Sequence, residues 1–150
     1  MATRNGSAKW TGDLKTGSGE LTVGEGVWTS AYSGQSRFHD VLPGFEDGAG
    51  TNPEELLAAA HASCFSMALT LALSEAGHTP RKIETRARVH LRIVGDLPTI
   101  QQIDLETEAD VPGLDQGSFR EHAEEAKTGC IISRALGGME QINLSAALAS

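Results

Sequence analysis

The longest hydrophobic stretch of the chain predicts a buried helix. Between Leu56 and Leu73, apolar residues would occupy nearly every face of a helix, interrupted only by a histidine and a few small polar residues. Asn52 can cap this helix, Pro53 suits its first turn, and Gly77 follows its last turn. A helix that is apolar on most sides is enclosed by protein, and its many small residues favour a core helix over a membrane span.

Two later segments alternate between apolar and polar residues, which predicts a β-hairpin. From Ile83 to Ile93 one face is apolar and the other is mostly basic. After a turn at Gly95–Pro98, the run 102–110 is apolar on one face and mostly acidic on the other. Opposite charges across two strands help to fix their pairing, so the polar side of this hairpin is predicted to be a solvated sheet face.

The rest of the chain adds short elements. The sequence predicts a hairpin or meander over Lys9–Tyr32 that includes Leu21–Val23 and Val27–Tyr32, and then a loop over 33–50 with at most one strand around Arg37 and Phe38. Further on it predicts a helix from Asp115 or Ser118 to Lys127, a short helix over 131–136, and a last strand from Met139 to Leu148. Strands, a long helix, a hairpin, a further helix and a strand indicate an α+β fold, and nothing in 1–150 suggests a boundary between two domains.

Composition narrows the possible functions. The chain has 150 residues, enough for one domain with a proper core, and its formal net charge is −8. This acidity argues against nucleic acid and anionic membranes as partners. The N-terminus shows no secretory signal, which predicts a cytoplasmic protein. The five histidines and two cysteines follow none of the spacings that indicate a metal site.

The two cysteines are the candidate chemistry. Cys64 lies inside the long apolar helix, and Cys130 follows Gly129 at the start of the short helix. Free cysteines are often inert core residues. In a reducing compartment, however, a pair of cysteines is more often catalytic than structural. Two hypotheses therefore remain open: the two cysteines are inert packing residues, or they form a redox pair.

The surroundings of both cysteines resemble one family. Residues 50–69 read GTNPEELLAAAHASCFSMAL and residues 126–133 read AKTGCIIS. Together with KWTGDLK at 9–15 and VPGL at 111–114, these segments resemble the OsmC/Ohr family, in its osmotically inducible protein C branch. The resemblance implies antiparallel sheets packed around a long central helix, an intertwined homodimer, and a thiol-dependent peroxidase that acts on organic hydroperoxides and hydrogen peroxide.

The same resemblance implies roles for four residues. Cys64 would be the peroxidatic cysteine, Cys130 the resolving cysteine, Arg37 the activating cation, and Glu54 the carboxylate partner of Arg37. A buried thiol needs such a cation, because burial disfavours the thiolate that attacks peroxide. Ten helical residues, or about 15 Å, separate Glu54 from Cys64. Either Arg37 bridges them or Glu54 comes from a second subunit, and we favour the second subunit. Glu54 could also act only on the helix dipole.

The expected cycle needs no metal, haem or flavin. Peroxide would oxidise Cys64 to a sulfenic acid, and Cys130 would condense with it to a disulfide. The resemblance implies reduction of that disulfide by an external dithiol, either a lipoylated protein or a small molecule. His61 could act as a base near Cys64, but we favour a histidine that only packs in the core. His39 and Asp40 are expected to lie in a loop and to have no catalytic role. Two other functions stay open: a peroxide sensor, and a non-catalytic domain that binds a lipid or a partner.

Overall fold

The computed structural model describes residues 2–138 and 141–149, and this part of the chain contains six strands and four helices. The elements are β1 (Gly6–Thr11), β2 (Ser18–Val23), β3 (Trp28–Ser33), α1 (Gly34–Phe38), α2 (Pro53–Glu75), β4 (Lys82–Val94), β5 (Leu97–Asp110), α3 (Gln116–Gly129), α4 (Ile131–Ala135) and β6 (Gln141–Leu148). The predicted α+β class is confirmed. Met139, where the last strand was predicted to begin, lies outside the described residues.

The chain divides into two compact units, Met1–Leu56 and Leu57–Ser150. In the first unit, β1, β2 and β3 form an antiparallel sheet, and the predicted β2–β3 hairpin is confirmed. Tyr32 on β3 is paired with Gly19 on β2, and a Cβ atom at position 19 would lie 2.4 Å from the Tyr32 ring. Glycine at this position therefore lets the aromatic ring lie across the sheet.

Residues 34–38 form a short helix, α1, where the sequence predicted a loop with at most one strand. The Ser33 hydroxyl accepts a hydrogen bond from the Ser36 N–H (2.9 Å), and the Ser36 hydroxyl accepts one from the Ser33 N–H (3.0 Å). This reciprocal capping starts the helix. The strand prediction is wrong because five residues are too few to show a helical period, so only the capping serines could have indicated the helix.

The predicted long helix is confirmed as α2. The Asn52 side chain accepts a hydrogen bond from the Glu55 N–H (2.9 Å) at its start, and Gly77 with φ of 83° follows its end. Every fourth residue along one stripe of α2 is fully buried, namely His61, Phe65, Leu69 and Leu73. This stripe packs in the second unit against apolar residues of β5, α3 and the start of α4, which include Leu105, Ala109, Phe119, Ala123, Ala126 and Cys130.

The predicted β4–β5 hairpin is also confirmed, with its apolar face inward and its charged face outward. Ile103 and Leu105 are buried, and Arg88 forms an ion pair with Glu106 on the outer face. The prediction of antiparallel sheets is wrong for one pair, because β6 runs parallel to β5. The chain passes through α3 and α4 between these strands, and such a helical crossover returns it to the same end of the sheet.

Another face of α2 is exposed in the single chain. Met67 and Leu71 have relative exposures of 74% and 59%. By length and composition α2 is long and apolar enough to cross a membrane, but the core helices of soluble proteins meet the same criterion. Within the chain, 28% of the most apolar window of α2 is buried. Neighbouring exposed apolar side chains of this kind are typical of a surface that contacts another molecule.

Candidate active site

The two cysteine sulfurs are in contact. The Cys64 and Cys130 Sγ atoms lie 3.1 Å apart and share a hydrogen bond, and both residues are free thiols. Cys64 is half-buried on α2, whereas Cys130 is buried in the core of the second unit. Closing a disulfide, with its bond length near 2.05 Å, requires the sulfurs to approach by only about 1 Å.

A corner between two helices places Cys130 opposite Cys64. The Cys130 N–H donates to the Ala126 carbonyl (2.8 Å), so this residue ends α3. The same residue begins α4, where its sulfur accepts a hydrogen bond from the Ser133 N–H (3.5 Å). Gly129 is the last residue of α3, and a Cβ atom there would meet nothing within 4 Å. The hydrogen bonds of Cys130 at the end of α3 and the start of α4, and not packing around Gly129, therefore fix the angle between the two helices.

The two thiols differ in their electrostatic surroundings. Burial raises the pKa of Cys64, and the backbone N–H groups of Ile132 and Ile131 oppose this effect only in part. Burial acts in the same direction on Cys130, but hydrogen bonds from Ser133, together with those from Cys64 and the Ile132 backbone, outweigh it and lower the pKa of Cys130. None of these groups is a cation. Among these described neighbours of Cys64, therefore, no group supplies the activation that a peroxide-attacking thiolate needs.

Arg37 and Glu54 form an ion pair in the first unit. The Arg37 Nε donates to both Glu54 oxygens (3.1 and 3.2 Å), and its Nη2 donates to Oε1 (2.8 Å). The Glu54 side chain is 10% exposed and that of Arg37 is 38% exposed. One guanidinium edge is thereby fixed against the carboxylate, while part of the group remains open to solvent.

Hydrogen bonds between α1 and the start of α2 hold this pair together. The Ser36 hydroxyl donates to the Thr51 carbonyl (2.8 Å), and the Asn52 amide donates to the Ser36 carbonyl (3.0 Å). These two bonds bring residues from either side of the 39–50 segment into contact. Arg37 follows Ser36 on α1, and Glu54 lies in the first turn of α2, so their side chains meet.

A cavity of about 320 Å³ lies beside Arg37 in the same unit. Apolar and aromatic side chains dominate its lining, among them Trp10, Leu14, Tyr32 and Phe38. The rings of Trp10 and Tyr32 are 5.4 Å apart, and Tyr32 also donates a hydrogen bond to the Lys9 carbonyl (3.2 Å). The open side of the guanidinium thus borders an apolar space that suits an uncharged organic group.

The structure joins the four candidate residues in two pairs, Cys64 with Cys130 and Arg37 with Glu54. His61 is fully buried, as expected for a packed histidine, and its Nε2 lies 2.7 Å from the Ser133 hydroxyl. Ser133 is not among the residues predicted from the sequence. Its position three residues after Cys130, as in a helix-capping pattern, is the only signal that could have indicated it.

Among residues 2–138 and 141–149, no three His, Cys, Asp or Glu side chains lie together in a way that could hold a metal ion. The expectation of an enzyme without a cofactor stays a prediction.

Comparison with known proteins identifies the family. The family model described as OsmC-like protein matches residues 46–145. Peroxiredoxin OsmC of Escherichia coli K12 is 44% identical over 134 residues, which cover 89% of each chain. Organic hydroperoxide resistance protein-like 1 of Staphylococcus epidermidis is 33% identical over 110 residues, covering 71% of this chain and 76% of that protein.

Solved structures share the fold. An organic hydroperoxide resistance protein from Elizabethkingia anophelis superimposes with a TM-score of 0.73 at 22% identity, covering all of this chain and 97% of the other. The resemblance read from the two cysteine segments is thus confirmed, as is the predicted class of enzyme. The chain belongs to the OsmC family of cysteine-based peroxidases.

Proposed function

We propose that this protein reduces organic hydroperoxides, and hydrogen peroxide less readily, by a cycle in which Cys64 is peroxidatic and Cys130 is resolving. The sulfur–sulfur distance of 3.1 Å carries this proposal. Cys64 is the more exposed of the two, so peroxide reaches it first. Cys130 is buried behind it and already touches the atom that it must attack.

The reaction balances without any bound cofactor. The Cys64 thiolate attacks the outer peroxide oxygen, the O–O bond breaks, and an alcohol leaves while Cys64 becomes a sulfenic acid. Cys130 then attacks the Cys64 sulfur, the S–O bond breaks, and water leaves as the disulfide forms. An external dithiol, free or carried by a lipoylated protein, returns both cysteines to thiols by exchange.

Arg37 supplies the missing cation in this proposal, and Glu54 orients it. Burial raises the pKa of Cys64, so a cation from outside the second unit has to stabilise its thiolate. The Arg37 guanidinium is held on one edge by Glu54 and partly free on the other, as this role requires. The apolar cavity beside it favours hydroperoxides that carry alkyl or aromatic groups.

We further propose that the active enzyme is an intertwined homodimer in which the partner subunit's Arg37 serves Cys64. The exposed apolar face of α2 at Met67 and Leu71 supports an association of this kind. The family match at 46–145 crosses the division at Leu56, which supports treating 1–150 as a single OsmC-like domain. We place the enzyme in the cytoplasm, because a pair of cysteines in a reducing compartment is more often catalytic than structural.

One assay tests the cycle. Reduced wild type, Cys64→Ser and Cys130→Ser are mixed with cumene hydroperoxide and a dithiol, and peroxide loss is followed. We expect turnover by wild type, none by Cys64→Ser, and a trapped Cys64 sulfenic acid in Cys130→Ser. One stoichiometric oxidation without turnover would instead indicate a peroxide sensor, and absence of any reaction would indicate a binding domain.

A second assay tests sharing between subunits. Cys64→Ser and Glu54→Ala chains are inactive or weakened alone, and they are mixed under conditions that exchange subunits. If Arg37 and Glu54 of one chain serve the other chain's Cys64, mixed dimers regain one complete site and activity rises. Activity that stays at the average of the two parents would show that each site is built within one chain.

A further inference from the structure

We infer that His61 and Ser133 form a hydrogen-bonded pair that prepares Cys130 for the disulfide-forming step, with His61 as a positioning residue that acts through Ser133. The inference rests on the proposed role of Cys130 as the resolving cysteine. His61 is buried, and the proposed cycle of Cys64 and Cys130 does not otherwise require it.

Ser133 contacts both His61 on α2 and the Cys130 sulfur, the first through its hydroxyl and the second through its N–H. His61 Nε2 lies 2.7 Å from the Ser133 Oγ, and the Ser133 N–H donates to the Cys130 sulfur (3.5 Å). The Cys130 sulfur in turn lies 3.1 Å from that of Cys64. His61, Ser133 and Cys130 are all buried, with relative exposures of 0%, 7% and 1%, so water does not compete for these bonds.

The direction of the bonds follows from the ring. His61 Nδ1 is buried and finds no hydrogen-bond partner among residues 2–138 and 141–149. Burial lowers the pKa of His61, so the ring is neutral and carries one N–H. An unpaired ring lone pair is less costly than an unpaired buried N–H. Nε2 therefore carries the proton and donates to Ser133, whose own hydroxyl is then left free to donate to Cys130.

This arrangement stabilises a thiolate at Cys130 without adding a charge to the core. The Ser133 N–H donates to the sulfur (3.5 Å), and interaction with the Ser133 side chain is a further cause of the lowered pKa of Cys130. The titratable group in contact with Cys130 among the described residues is Cys64 of α2, and His61 lies beyond Ser133. The neighbours of Cys130 in the core are apolar, such as Ala126 and Leu105.

The stabilised Cys130 thiolate accelerates the second half of the cycle, in which the disulfide forms. Attack on the Cys64 sulfenic acid forms the S–S bond and breaks the S–O bond, and the departing hydroxide takes up the proton that Cys130 has released. A larger thiolate fraction at Cys130 accelerates this step. Oxidation of Cys64 by peroxide precedes it and does not use the pair.

The first test needs no peroxide. In a Cys64→Ser background, the ionisation of Cys130 is followed by its ultraviolet thiolate absorbance against pH. We expect Ser133→Ala and His61→Leu each to move the midpoint to higher pH, and Ser133→Thr, which keeps the hydroxyl, to restore it. Ser63→Ala is the matched control, because Ser63 is exposed and its hydroxyl donates to the Ala60 carbonyl. A midpoint that Ser133→Ala leaves unchanged in folded protein overturns the inference.

The second test uses single turnovers with both cysteines present. Loss of one hydrogen bond to a charged sulfur should slow disulfide formation about three- to tenfold, while Cys64 oxidation keeps its rate and sulfenic acid accumulates. The double variant Ser133→Ala, His61→Leu should be no slower than Ser133→Ala alone, whereas additive losses would contradict a path through Ser133. If wild type fails to react with peroxide, the proposed function fails, and the thiolate titration still decides this inference.

Discussion

Replacing Glu54 with glutamine tests whether the Arg37–Glu54 pair has a catalytic role. Glutamine has nearly the same shape but no charge, and it offers one oxygen where Glu54 accepts hydrogen bonds on two. Arg37 would keep at most part of its anchorage. If its guanidinium has to be held near Cys64, even a small displacement reduces the rate strongly.

The structure sets the size of the effect on stability. Breaking a fully buried ion pair costs about 3–5 kcal/mol, and breaking an exposed one costs about 0–1 kcal/mol. The Glu54 side chain is 10% exposed, but that of Arg37 is 38% exposed and solvent screens it. We therefore expect Glu54→Gln to lower the free energy of unfolding by about 1–2 kcal/mol. The protein should remain folded at 25 °C.

The effect on catalysis should be larger than the effect on folding. We expect kcat/KM for cumene hydroperoxide to fall about ten- to hundredfold, as for a misplaced catalytic group. The matched control is Glu55→Gln, which removes the same charge from the same helical turn, where Glu55 is exposed and accepts from the Thr51 hydroxyl (2.8 Å). If both variants lose activity equally, or if Glu54→Gln keeps wild-type activity, Glu54 serves only the helix dipole and the reasoning is wrong.

Three further predictions concern the scaffold. Gly34→Ala places a Cβ atom 2.1 Å from the Leu14 carbonyl oxygen, so it should destabilise the first unit by about 1–3 kcal/mol in urea unfolding. Phe119→Ala should cost about 3–5 kcal/mol, because this ring is fully buried. Hydrogen bonds from the side chains of Gln102, Asn143 and His90 lower the pKa of Asp104 from 3.8 to about 2. Its contribution to stability is therefore complete above pH 4 and lost as the pH falls towards 2, so Asp104→Asn should flatten acid unfolding over that range.

Local patterns were sufficient for the large elements. The α2 helix could be predicted because Asn52, Pro53 and Gly77 mark its ends and because its apolar length exceeds that of a strand. The β4–β5 hairpin could be predicted because period-two alternation with opposite charges allows one register. The parallel direction of β6 could not, since alternation shows which face is buried but not which way a strand runs.

The candidate site shows the same limit. The family resemblance pointed to Cys64, Cys130, Arg37 and Glu54 as candidates, and the structure shows two contacting pairs among them. Ser133 could not be predicted, because a serine near the start of a helix is common and its contact with His61 depends on the tertiary structure.

The sequence by itself determined the α+β class, the long central helix and the resemblance to a thiol peroxidase family, because these depend on residue order and local spacing. Only the tertiary structure decided that sulfurs 66 residues apart lie in contact, and that burial raises the pKa of one thiol while hydrogen bonds lower that of the other. Those properties depend on which groups approach through space, and residue order alone does not specify distance or desolvation.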